Sequence, residues 1–169
     1  LVPGVVARGK DDPRLVAIAR TLARLRFAVL VPDMPGVRSF RMRASDVREV
    51  ADAFAWLVAQ PALAPQGRAG IAGFSYGAAP VLLAALQPDI RHQVRFLLCV
   101  GGYYSLRQVI TYITTGFYPA GDAAAAAQPK RLPPHPYSLG VFISSNLDLL
   151  EQPADRGLLR HYADDLLGR

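Results

Sequence analysis

Three short apolar runs that do not alternate with polar residues constrain this chain more than any other feature. "FAVLV" (27–31), "AGIAGF" (69–74) and "FLLCV" (96–100) are apolar or small at every position. A strand with one wet face alternates, whereas a strand covered on both faces does not, so these runs predict parallel strands in a sheet clad by helices. "LV" at residues 1–2 has the character of the end of a fourth strand.

Helical patterns lie between the runs. In "DPRLVAIARTLARLRF", Asp12 is placed to cap and Pro13 to take the first helical position, while Leu15, Ile18, Ala19, Leu22 and Leu25 share a face. From Ser45, "SDVREVADAFAWLVAQ" aligns Val47, Val50, Ala51, Phe54 and Val58, with most charges opposite. A third helix is expected after Ser75, through "VLLAAL", with Pro80 early in it at the cost of one backbone hydrogen bond. Strands alternating with helices predict βαβ units and an α/β fold.

That rhythm stops near residue 105. "YPAGDAAAAAQPKRLPPHPY" (118–137) reads as loop with one helical turn at most. The last third reads as two helices, one presenting Leu139, Phe142, Ile143, Leu147 and Leu150, the other Leu158, Leu159, Tyr162 and Leu166. The expected division is therefore 1–105 and 106–169.

Composition excludes several classes of function. With 169 residues, 51% of them hydrophobic, the chain can bury a sizeable core. The net charge of +6 is mostly scattered arginine with one cluster at Arg38, Arg41 and Arg43, and no nucleic-acid motif accompanies it, so a solvated surface is expected and not a nucleic-acid interface. Cys99 is the sole cysteine, which excludes an internal disulfide and a thiolate metal site; inside "FLLCV" it is expected to be a buried small hydrophobe. No apolar stretch reaches the roughly eighteen residues of a membrane span and no basic-then-apolar leader is present, so a cytoplasmic protein is expected. The chain begins "LVPG", without methionine.

The decisive stretch is "IAGFSYGAAP" (71–80), where one serine stands between two glycines after an apolar run and before a helix. A serine on a sharp strand-to-helix turn presents its hydroxyl outward, and the positions two before and two after it must be small. Gly73 and Gly77 occupy those positions. The competing reading of Ser75 is an ordinary helix cap.

"LVPG", "VLVPDMPG" and "GFSYGAA", in this order and spacing, resemble the α/β-hydrolase family over residues 1 to about 105. The resemblance implies a three-layer core whose third to sixth strands are present here. It implies Ser75 as nucleophile, the backbone N–H groups of Val5 and Tyr76 as oxyanion hole, and residues 106–169 as a helical cap. By the same resemblance the activity is cleavage of an ester or related acyl bond of a small molecule, with no cofactor or metal. Tyr103, Tyr104, Tyr112 and Phe117 are then candidates to line a substrate pocket or to pack the cap. Asp33 is read as a structural turn residue, since no dinucleotide-binding glycine pattern precedes it.

A serine needs a base, and the family order places an acid and then a histidine after it. The histidines are His92, His135 and His161. His92 falls at the end of the sheet away from Ser75, and His135 lies in a proline-rich loop. A pairing of Asp148 with His161, with "LGVFI" (139–143) as a strand, leaves too little chain for the elements that normally carry the histidine. The more economical expectation is a piece of a longer hydrolase, its acid and histidine elsewhere and its isolated chain nearly inactive. The alternative is a non-catalytic small-molecule-binding protein of the same type.

Overall fold

The computed structural model describes residues 1–119 and 129–169, so the alanine run expected to lie in a loop falls outside the described residues. The chain forms two compact units, Leu1–Gly102 and Tyr103–Arg169.

In the first unit, α1 spans Pro13–Arg24, with Pro13 opening it and the Asp12 carboxyl accepting from the Arg14 backbone N–H. A four-residue helix, α2 (Pro35–Arg38), follows the "VPDM" turn and buries Met34 and Val37 at its start. There the exposed Asp33 carboxyl pairs with Arg38 at 3.2 Å. α3 (Asp46–Val58) buries Val50, Ala51, Phe54 and Val58, a stripe at helical spacing. β1 (Ala69–Phe74) runs through a 3-10 turn, Ser75–Gly77, into α4 (Ala78–Ala85), and β2 (Val94–Val100) returns parallel to β1. α4 packs on both strands and on α3. The core gathers Val2, Met34, Val50, Phe54, Val58, Ile71, Val81 and Ile90. Pro80 is the third residue of α4. In a first turn a missing N–H forfeits no bond within the helix, so the expected cost is not incurred.

The expected α/β-hydrolase core is not formed. Among the described residues its parallel sheet has two strands, β1 and β2, where the sequence predicts four. Two expected strands account for the difference. Residues 27–31 form no strand; Leu30 O accepts from Leu1 N at 2.7 Å, and Phe27 is 55% exposed. Residues 1–2 contribute one isolated parallel bridge, Val2 to Gly73. Apolar sequence alone does not make a strand: ladder hydrogen bonds with a neighbour do. β2 departs from expectation too, because Phe96, Leu98 and Val100 are about half exposed and Cys99 is exposed, not buried.

The second unit is helical, with α5 (Leu106–Thr115), a two-residue antiparallel pair of β3 (Phe117–Tyr118) and β4 (Lys130–Arg131), α6 (Pro136–Asn146), a 3-10 turn Leu147–Leu149, and α7 (Pro153–Leu167). "LGVFI" is thus helical and not a strand. Of the expected stripe Leu147 is buried, in the turn that follows α6, while within α6 the buried residues are Gly140, Val141 and Ser144 in place of Leu139, Phe142 and Ile143, because α6 and α7 approach at small residues. A methyl at Gly140 would lie 2.9 Å from Leu167 and 3.2 Å from the Ala163 carbonyl. Leu158 and Tyr162, expected to face inward, are exposed.

Candidate functional site

β1 ends in extended backbone at Phe74, and Ser75 follows with φ +52°, in the left-handed region. Only glycine adopts that region readily; a serine there stores strain of about 1–3 kcal/mol and persists where its surroundings over-determine it. The surroundings are glycines and the main chain they admit. A methyl at Gly73 would sit 2.3 Å from the Gly77 carbonyl oxygen, and one at Gly77 would sit 2.5 Å from the Pro3 oxygen. Gly101, with φ +69°, lies against the Ser75 backbone, where an added methyl would be 3.8 Å from its N and Cα. The exposed Ser75 hydroxyl therefore sits on a turn drawn tight by backbone on both sides.

Of the residues expected to form an oxyanion hole, Tyr76 directly follows this serine and Val5 follows Gly4, which lies against it. Residues 3–5 cross the turn: a methyl at Gly4 would be 3.0 Å from Ser75 Cβ and 3.5 Å from its Oγ, and the buried Val5 follows directly. Tyr76 is the residue after the serine, two residues ahead of α4, so its amide lies near the positive end of that helix. Its side chain turns to α3, where the hydroxyl donates to Asp46 Oδ2 at 2.7 Å.

Asp46 was not singled out from the sequence, although a signal was present. It stands four and eight residues before Val50 and Phe54, on the buried face of α3, and it is wholly buried. The same Oδ2 accepts from the Arg43 backbone N–H at 3.1 Å, while Oδ1 is buried without a hydrogen-bond partner. Nearby Glu49 is raised above the usual carboxylate range, by burial first and by the Asp46 charge second, with Arg43 opposing.

The titratable candidates do not gather at Ser75 within the first unit. His92, its one histidine, accepts from Arg91 Nε at 3.1 Å and precedes the start of β2. Ser75 follows Phe74, which registers with Val100 at the other end, so the length of β2 separates them by roughly 20 Å. In the second unit, His135 is the N-cap of α6, its Nδ1 accepting from the Tyr137 N–H at 3.2 Å. His161 is exposed on α7, 3.9 Å from Asp165, and Asp148 is exposed in the Leu147–Leu149 turn. Among the described residues no group of three or more His, Cys, Asp or Glu is placed to hold a metal ion.

The second unit has an open cavity of about 420 Å³ lined by Tyr103, Tyr104, Tyr112, Tyr118, Gln108 and Leu132, among others. Tyr112 and Tyr118 meet edge to face with ring centres 6.1 Å apart, and burial raises the Tyr103 phenol above its usual range. Phe117, also expected at a pocket, lies instead under the Arg131 guanidinium, 5.7 Å from its ring centre.

No protein-family description, curated protein or solved structure matches this chain. No helix among the described residues is long and apolar enough to cross a membrane.

Proposed function

We propose that Ser75 is the nucleophile of a serine hydrolase acting on a small-molecule ester or related acyl compound. The observation that carries this reading is the left-handed backbone of Ser75 at a strand-to-helix turn, a conformation that costs stability and projects the hydroxyl outward. In this reaction Oγ bonds to the acyl carbon and its proton passes to a base. The bond to the leaving alcohol breaks as that alcohol takes up the proton, and water then releases the acid from the acyl-serine. Negative charge on the carbonyl oxygen falls to the amides of Val5 and Tyr76, where a single donor typically contributes about 10²–10³ in rate. The base comes from outside the first unit, whose one histidine is at the wrong end of the sheet.

The test is incubation with a p-nitrophenyl ester followed by peptide mapping. Acyl groups on Ser75, absent from Ser75→Ala, are expected; acylation spread equally over surface residues in both proteins would overturn the proposal. A second reading, a small-molecule-binding protein without catalysis, is favoured by the tyrosine-lined cavity. It predicts ligand binding that survives Ser75→Ala and is lost in Tyr112→Ala.

A further inference from the structure

We infer that Asp46 is a positioning residue for the turn that carries Ser75, acting through the Tyr76 hydroxyl; for its catalytic consequence this rests on the reading of Ser75 as nucleophile.

Packing alone does not account for an acid at this position. Asp46 is the first residue of α3, on the face that buries Val50 and Phe54, and it is wholly enclosed. An apolar residue would fill that place without desolvating a carboxyl group, one oxygen of which has no hydrogen-bond partner. What the acid adds is a short bond, 2.7 Å, to a tyrosine thirty residues further along the chain. The Arg43 N–H, at 3.1 Å from the same oxygen, fixes the carboxyl from its own side.

The residue so anchored directly follows a strained one. Ser75 at φ +52° relaxes toward ordinary backbone unless its neighbours are held. On one side Gly73 and Gly77 lock the strand to the turn by contacts too tight for a methyl. On the other, the ring of Tyr76 reaches α3 and its hydroxyl is tied there. A bond at the ring's far end limits rotation of residue 76, and with it the direction of the Tyr76 N–H and the Ser75 Oγ. Asp46 touches no reacting atom in this account; it sets the aim of two groups that do.

The measurement is backbone amide hydrogen exchange by NMR on the whole chain, with fluorophosphonate labelling of the same samples. Tyr76→Phe is expected to speed exchange at Ser75, Tyr76 and Gly77 about tenfold or more while Ile71 and Leu97 are unchanged, and to slow labelling of Ser75 in step. Asp46→Asn keeps an acceptor oxygen and is expected to preserve both. In a Ser75→Gly background, where left-handed backbone is unstrained, Tyr76→Phe is expected to have little effect on exchange. Unchanged exchange in Tyr76→Phe, a rise spread evenly over the first unit, or an equal effect in the Ser75→Gly background would each overturn the inference. Wild-type protein labelled on another serine and not on Ser75 overturns the nucleophile reading, and the exchange pattern still decides the clamp.

Discussion

Replacing a glycine by alanine should have opposite signs at two places in this molecule. At Gly73 the new methyl would lie 2.3 Å from the Gly77 carbonyl oxygen, 2.6 Å from its carbon and 2.7 Å from Val81 Cγ2. Ordinary contact is about 3.5–4.0 Å, so strand and turn must part by more than about 1 Å, and two of the three obstacles are backbone. Overpacking costs about 1–3 kcal/mol, and the upper end applies here because no side-chain rotation relieves it. At Gly157, inside α7, an added methyl meets nothing within 4 Å. Alanine there gains about 1 kcal/mol of helix propensity. Trp56, the sole tryptophan, lies on α3 in the same unit as Gly73, so its fluorescence reports the first substitution and far-UV circular dichroism the second. At a urea slope of about 2 kcal/mol per molar, Gly73→Ala lowers the Trp56 midpoint by roughly 1.5 M. A midpoint within about 0.3 M of wild type would refute the close approach of strand and turn.

Two further outcomes follow from the geometry. Arg14 holds the Asp12 carboxyl below the usual carboxylate range, chiefly through its side-chain hydrogen bond, with burial opposing. Because the folded value is depressed, the stabilisation is complete above the unfolded aspartate pKa of about 3.9 and fades as pH falls through the folded one. Asp12→Ala should thus cost about 1 kcal/mol at pH 7 and almost nothing in strong acid, checked by urea titrations at both ends. β2 presents Phe96, Leu98 and Val100 partly exposed on a strand whose pairing, among the described residues, is to β1 alone, an arrangement prone to edge association. Leu98→Lys should reduce concentration-dependent self-association in light scattering while leaving the circular dichroism spectrum unchanged.

Local signals were legible in the sequence wherever one residue decides the outcome. Asp12 with Pro13 set the start of α1, the stripe from Val50 to Val58 set the buried face of α3, and Gly73 and Gly77 marked the tight turn around Ser75. What failed depends on partners that periodicity does not name. Residues 27–31 are as apolar as β1 but lack a ladder, and the helix expected through "LGVFI" forms but turns Gly140, not its larger neighbours, against α7. The reading of Cys99 as buried failed for the same reason: it assumed that both faces of β2 are covered. Asp46 is polar, so the apolar stripe of α3 does not include it. Its spacing to Val50 and Phe54 places it on the buried face, and its hydrogen bond to Tyr76 could be found only in three dimensions.

The most direct test of the central claim is intact-mass spectrometry before and after a fluorophosphonate, with peptide mapping of any adduct. With a base within reach, the account predicts one adduct per chain, on Ser75, that is absent from Ser75→Ala. An adduct carried on another serine, with Ser75 unmodified, would contradict the assignment of Ser75 as an activated nucleophile.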